Sequence, residues 1–168
     1  YDHPSGTATA LCANVVAGVF ATVGGGRANR AGVSPAIEYA TVAGGSDNAA
    51  GGNGAAVSGG TFNFARDDYS VVSGGSENSA LGRNSVVPGG RQNYAGAAGA
   101  FAAGERAYVR SPADAGTANG DSNTFVWSDG QGAAAFTSTG PNQFNVKADG
   151  GVRLHNGTSQ FFGTQTRQ

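Results

Sequence analysis

The chain has 168 residues, of which 30 are Gly, 39% are apolar and only 12% are charged, for a net charge of −1. Glycine at this frequency, no Met, and Leu only at Leu11, Leu81 and Leu154 argue against a helical bundle, and five Pro without a three-residue Gly period argue against collagen. The low charge and the steady supply of Val and Ala exclude a charged disordered chain, and a single lysine, Lys147, gives no basic surface for nucleic acid or anionic lipid.

Tyr1 follows no leader-like run, so the chain reads as a mature product or an excised fragment. No stretch approaches the roughly 20 apolar residues that cross a bilayer, so this segment is not expected to insert into a membrane. Residues 1–16 are expected to form a cap rung or a docking strand for a neighbouring unit, because Ala8 to Asn14 look like a worn copy of the repeat that follows. The lone Cys12 forms no internal disulfide; it is a small buried hydrophobe or a bridge between copies.

Residues 17–110 carry the pattern Val-x-Gly-Gly-x-x-Asn five times, from Val23, Val42, Val57, Val72 and Val87, with spacings of 19, 15, 15 and 15. The long first spacing comes from an insertion at Val33-Ser34-Pro35-Ala36-Ile37, where Ser-Pro marks a loop. Ala102 opens a degenerate sixth copy that ends at Tyr108, as a terminal repeat of a solenoid would. The glycine pairs Gly25-Gly26, Gly44-Gly45, Gly59-Gly60, Gly74-Gly75 and Gly89-Gly90 supply a turn needing positive φ or close backbone approach. The Asn that follows either starts a second short strand or sits left-handed in the turn. β-prone runs such as Tyr39-Ala40-Thr41-Val42 and Tyr69-Ser70-Val71-Val72 precede the pairs. Two short strands and two turns per fifteen residues make one rung of a β-roll, and six rungs at about 4.8 Å give a rod roughly 30 Å long.

Fixed columns divide inside from outside. Val23, Val42, Val57, Val72, Val87 and Ala102 form the expected core, flanked by small residues two positions after each Asn (Ala31, Ala50, Ala65, Ala80, Ala95). The residue before each core position points the other way. That column runs Thr22, Thr41, Ala56, Val71, Val86, Phe101, an apolar stripe that buries against copies of the chain or under its own C-terminal segment. Val71, Val86, Phe101, Phe125 and Trp127 are the candidate subunit-interface residues.

Residues 111–168 lose the period. Pro112, Gly116, Gly120 and Asp121 read as a linker. Strands are expected at Thr124 to Ser128, Ala133 to Thr139, Gln143 to Ala148 and Gly151 to Leu154, making a small all-β module that packs on the roll or on other chains.

Little chemistry is encoded. His3 and His155 are far apart and read as surface histidines, and no second Cys provides a thiolate site. Asp67-Asp68 is the one adjacent acidic pair, read as solvated turn residues against the alternatives of acid–base work or Ca²⁺ binding. No phosphate-loop or calcium-nonapeptide pattern is present, and the Thr22–Thr41 ladder that an ice-binding face needs ends at Ala56. Asn156-Gly157-Thr158 is a lone glycosylation sequon. No catalytic, cofactor-binding or metal residue is assigned, and no cofactor is expected.

The pattern resembles the head of trimeric autotransporter adhesins (the YadA-like head). The stretch Ala80-Leu81-Gly82-Arg83-Asn84-Ser85-Val86-Val87-Pro88-Gly89 matches that family's Ala-x-Gly-x-x-Ser-Val-x-x-Gly repeat. Tyr39 to Asn48, Gly99 to Ala107, and Phe125-Val126-Trp127-Ser128-Asp129 are similar to segments of adhesin-like and tail-fibre-like bacterial surface proteins, as are Asn142-Gln143-Phe144 and Gly150-Gly151-Val152. The resemblance implies a left-handed parallel β-roll, homotrimerisation, an extracellular or bacterial cell-surface location, and a role in adhesion to a host matrix protein or surface glycan. The chain departs from the family in having no heptad stalk and no membrane-anchor segment. Three readings follow: a non-enzymatic trimeric adhesin head, a filament subunit polymerising head to tail, and a phage-type tail fibre or spike using Asp67 and Asp68.

Overall fold

The computed structural model describes residues 13–152. In chain order the elements are β1 (Val15–Val16), β2 (Thr22–Val23), β3 (Arg30–Ala31), β4 (Thr41–Val42), β5 (Ala49–Ala50), β6 (Ala56–Val57), β7 (Phe64–Ala65) and β8 (Val71–Val72). They continue with β9 (Ser79–Ala80), β10 (Val86–Val87), β11 (Tyr94–Ala95), β12 (Phe101–Glu105), β13 (Ala107–Val109), α1 (Pro112–Ala115), β14 (Phe125–Asp129), β15 (Phe136–Thr137) and β16 (Phe144–Lys147). Odd-numbered strands stack into one eight-stranded sheet and even-numbered strands into another. Neighbours in each sheet are parallel. The chain is therefore an all-β parallel β-solenoid that contributes one short strand to each sheet per coil.

The register is the sequence period made spatial. Val42, Val57, Val72 and Val87 are direct partners in adjoining coils, as are Ala50, Ala65, Ala80 and Ala95. The insertion at 33–37 leaves this untouched: Thr22 still pairs with Thr41 and Arg30 with Ala49. Its residues lie in the connection from β3 to β4, where Ile37 N–H donates to Ser34 O at 3.1 Å.

The interior is narrow and lined by small apolar side chains. Val42, Val57, Val72, Val87, Ala102 and Val126 of one sheet face Ala31, Ala50, Ala65, Ala80, Ala95 and Val109 of the other, all buried; Val23, near the open end, is half-buried. Ala40, Ala55, Ser70, Ser85 and Ala100 fill one bend, where a larger side chain would push the sheets apart.

The structure corrects two points of the sequence reading and decides a third, each for a physical reason. Tyr39 and Tyr69 do not begin strands; they take left-handed backbone (φ 60° and 56°) because the chain must turn there before the two-residue wall starts. Asn48 and its equivalents are not left-handed either: the residue before each is, as at Asp47 (φ 57°) and Glu77 (φ 59°), and the Asn leads straight into the next strand. No separate module is seen in residues 111–152, which add coils to the same two sheets. β14 pairs with β12 from Phe101↔Phe125 to Glu105↔Asp129, β15 with β13, and β16 with β14.

The expected linker is an excursion from one coil. Ser111 caps α1 in a reciprocal capping box with Asp114, and Gly116 ends it in left-handed backbone. The strand expected over Ala133 to Thr139 is confined to Phe136–Thr137, and Gly151 and Val152 lie in no strand. Val15 and Val16 pair with β3 as a first rung. Cys12, His3, His155, the sequon at 156–158 and the rest of the terminal segments lie outside the described residues.

Candidate functional site

The surface is organised by the two bends of each coil, and the bend with the Gly pair is fixed by the Asn. Asn63 Nδ2 donates to Gly59 O of its own turn and to Gly75 O of the next coil, both at 2.9 Å. Its Oδ1 accepts Asn78 N–H at 3.1 Å. The same arrangement recurs at Asn29, Asn48, Asn78 and Asn93, and Asn14 starts the ladder by accepting Asn29 N–H. Burial makes each bond costly to lose, because water cannot replace it. The Asn spacing alone indicated a turn; that one amide satisfies three backbone groups is visible only once coils are stacked.

The two glycines of each pair have different tasks. Gly45, Gly60, Gly75 and Gly90 have φ of 85–92°, and a Cβ on any of them would collide with the carbonyl oxygen of the matching glycine one coil on. Gly25 and Gly44 face open space. Gly104 continues the second-glycine column, with φ 91°.

The opposite sheet face carries the outward column. Ala56, Val71, Val86, Phe101, Phe125 and Phe144 are successive partners along the axis. The first five are half-buried by their coil neighbours, and Phe144 at the end is 72% exposed. The phenyl rings stack, with centroids 4.9 Å apart for Phe101–Phe125 and 4.7 Å for Phe125–Phe144. Trp127 lies in a second outward column between Ala103 and Val146 and is also half-buried. On the other sheet Tyr94 and Tyr108 stack at 4.4 Å. The result is a ridge of coaxial apolar side chains that grows bulkier from Thr22 to Phe144.

The strongest electrostatic feature closes the excursion. Arg110 grips Asp121 with two bonds, Nε at 2.8 Å and Nη2 at 3.1 Å, and Ser138 Oγ donates to the same carboxylate at 2.5 Å. Burial pushes the Asp121 carboxyl up, but the guanidinium and the hydroxyl outweigh it and hold the group below the usual carboxylate range. Asp114 is held below that range too, by bonds from Ser111 and Tyr108. Tyr108 is raised by burial and by its bond to Asp114. These groups are paired with one another in a structural clasp, and Arg110 and Asp121 line a cleft of about 410 Å³ beside Asn119 and Asn142.

The acidic pair Asp67-Asp68 is held in turn bonds. Asp67 Oδ1 accepts Asp68 N–H at 2.8 Å, and Asp68 Oδ1 accepts both the N–H and the Nδ2 of Asn53 at 3.0 Å. Among the described residues no three His, Cys, Asp or Glu side chains cluster as a metal would need, and no helix is long and apolar enough to cross a membrane.

No protein-family profile matches the chain, and no curated protein does.

Proposed function

We propose that the chain is the non-enzymatic rod of an extracellular attachment protein on a bacterial surface, working as a homotrimer of left-handed rolls. The observation that supports this most is the outward ridge from Ala56 to Phe144: a solenoid with walls only two to five residues wide presents a straight apolar strip that water disfavours. Three copies that turn this ridge toward a common axis bury it without any further element. The remaining surface then repeats identical bends at coil spacing, so weak contacts to a matrix protein or surface glycan add into avidity. The resemblance of the repeat to adhesin heads points the same way.

Sedimentation of the whole chain tests the assembly. Three chains per particle are expected, and Val71→Asp with Val86→Asp should give single chains that keep their β-sheet circular dichroism. A wild-type particle of one chain would defeat the trimer. Beads coated with the wild-type protein should hold to surfaces bearing matrix protein or polysaccharide, and beads that hold to none would defeat the attachment role. A filament is favoured as a second reading by the exposed end strand β1, with Val15 and Val16 about half exposed (45% and 53%), opposite exposed Phe144. Electron micrographs of long fibres would select it.

A further inference from the structure

Each coil bends left-handed at the residue two before its even-numbered strand. These positions are Phe20, Tyr39, Gly54, Tyr69, Asn84, Gly99, Asn123 and Asn142, with φ between 54° and 66°. Gly and Asn accept this backbone readily, whereas aromatic residues are strained in it. The three aromatic exceptions are also exposed, at 71% for Phe20, 59% for Tyr39 and 55% for Tyr69. Phe20 stacks on one face of Tyr39 at 5.3 Å, but all three rings stay exposed on strained backbone, which points to a use outside the fold.

Tyr39 and Tyr69 flank a groove of about 590 Å³. They lie two coils apart, about 10 Å along the axis. The intervening bend residue is Gly54, and the Tyr69 ring leans over it so closely that a Cβ would come within 3.0 Å of Tyr69 Cδ1. The chain's first insertion contributes Ala36 to the wall. The floor is polar and held in place: Asn53 Oδ1 accepts Glu38 N–H at 2.9 Å, while Asn53 Nδ2 donates to Asp68 Oδ1 at 3.0 Å. Glu38 and Asp68 are among the residues lining the groove and no Lys or Arg is.

We propose that this groove binds a neutral hexopyranose chain lying along the rod, with one sugar face on the Tyr39 ring, one on the Tyr69 ring, and hydroxyl groups donating to Glu38 and Asp68. The apolar C–H face of a pyranose matches an exposed aromatic ring, and a carboxylate is an acceptor that a sugar hydroxyl can satisfy. Pockets for small ligands have this make-up, aromatic walls with a few fixed polar groups. The same carboxylates repel uronic and sialic acid chains. An insertion, two strained aromatics and a glycine gap coincide at one place on an otherwise regular surface. The inference deepens the attachment reading and rests on it for its biological use.

Calorimetric titration of the whole chain with cellohexaose, maltohexaose, laminarihexaose and chitohexaose tests the site, with polygalacturonate as the acidic comparison. Saturable binding to at least one neutral hexasaccharide is expected, weakened at least tenfold in the double variant Tyr39→Asn/Tyr69→Asn. That variant places at both bends the residue already present at Asn84, Asn123 and Asn142, so its melting temperature should hold or rise. No binding to any neutral probe, equal binding by the variant, or tighter binding of polygalacturonate overturns the site. A change in the variant's sedimentation mass also overturns it, by showing the rings to be subunit contacts. Beads that hold to protein-coated surfaces equally well with and without the two rings, while calorimetry shows no sugar binding, overturn the groove and leave the attachment reading standing. Wild-type beads that hold to nothing defeat the attachment reading, whereas the groove is decided by the calorimetry.

Discussion

The two bends of each coil solve the same steric problem in opposite ways. Both force L-residues into left-handed backbone, at Asp47 and Glu77 on one side and at Tyr39 and Asn84 on the other. The glycine-pair bend is locked to its neighbours through the buried Asn ladder, and its glycines and Asn recur from coil to coil while the two residues between them vary. The other bend is joined to its neighbours mainly by single backbone bonds, such as Tyr69 N–H to Asn53 O and Asn84 N–H to Asp68 O, and its side chains vary from Gly to Tyr. A solenoid is stabilised coil against coil, so the Gly and Asn positions that carry intercoil contact and bonding are fixed, while the exposed bend positions are free to acquire new surface chemistry.

The largest expected effect lies within one glycine pair motif. Gly75→Ala places a Cβ against Gly90 O at φ 86° and should cost at least ~3 kcal/mol, while Gly44→Ala, facing open space, should stay within about 0.5 kcal/mol. Thermal melts of the two variants compare them directly, and equal losses would remove the distinction between first and second glycine. Asn63→Ala comes next. It strands two carbonyls and one N–H in the buried interior, for a loss of roughly 3 kcal/mol. A loss under about 1 kcal/mol in chemical denaturation would show that the ladder is not what locks this bend.

The smallest effect is local and depends on pH. Asp121 and Asp114 have carboxyl groups held below their usual values in the folded chain. The stability they lend is therefore complete above the ordinary carboxylate value of about 3.9 and is lost as pH falls through the lower folded values. Hydrogen exchange between pH 5 and pH 2, corrected for intrinsic rates, should show the Ala115 and Asp121 amides opening before those of the roll. Asp121→Asn should remove most of that pH dependence. Uniform protection across the range would refute the clasp.

What could be read from the sequence was whatever a single coil decides. The period, the Val and Ala columns and the outward stripe follow from strand alternation and from a lumen that admits only small side chains, so the adjacent pairs Val71–Val72 and Val86–Val87 already indicate inside and outside. Features made by stacking were hidden. Gly74 and Gly75 are the same letter with different surroundings, and the Asn amide's bonds to the next coil have no one-dimensional signature. The C-terminal coils escaped because residues 110–121 lengthen one lap: Phe101 pairs with Phe125, twenty-four positions on, and a search at fifteen finds nothing. The groove escaped because its wall is assembled across coils: Tyr39 and Tyr69 are thirty residues apart, two regular coils along the axis, and Ala36 of the insertion joins them only in three dimensions.

The amide ladder also has a direction and a stop. Every Asn from Asn14 to Asn93 receives an N–H from the residue above it, and the last such donor is Ala107, whose methyl group has no oxygen to offer upward. The length of the ladder is thus written into one side chain, much as a terminator ends a polymer, and beyond it the sheets continue through β14, β15 and β16 beside the charged Arg110–Asp121 clasp. Ladders of other lengths would be made by moving that methyl group along the sequence, while the sheets run on past it through backbone pairing.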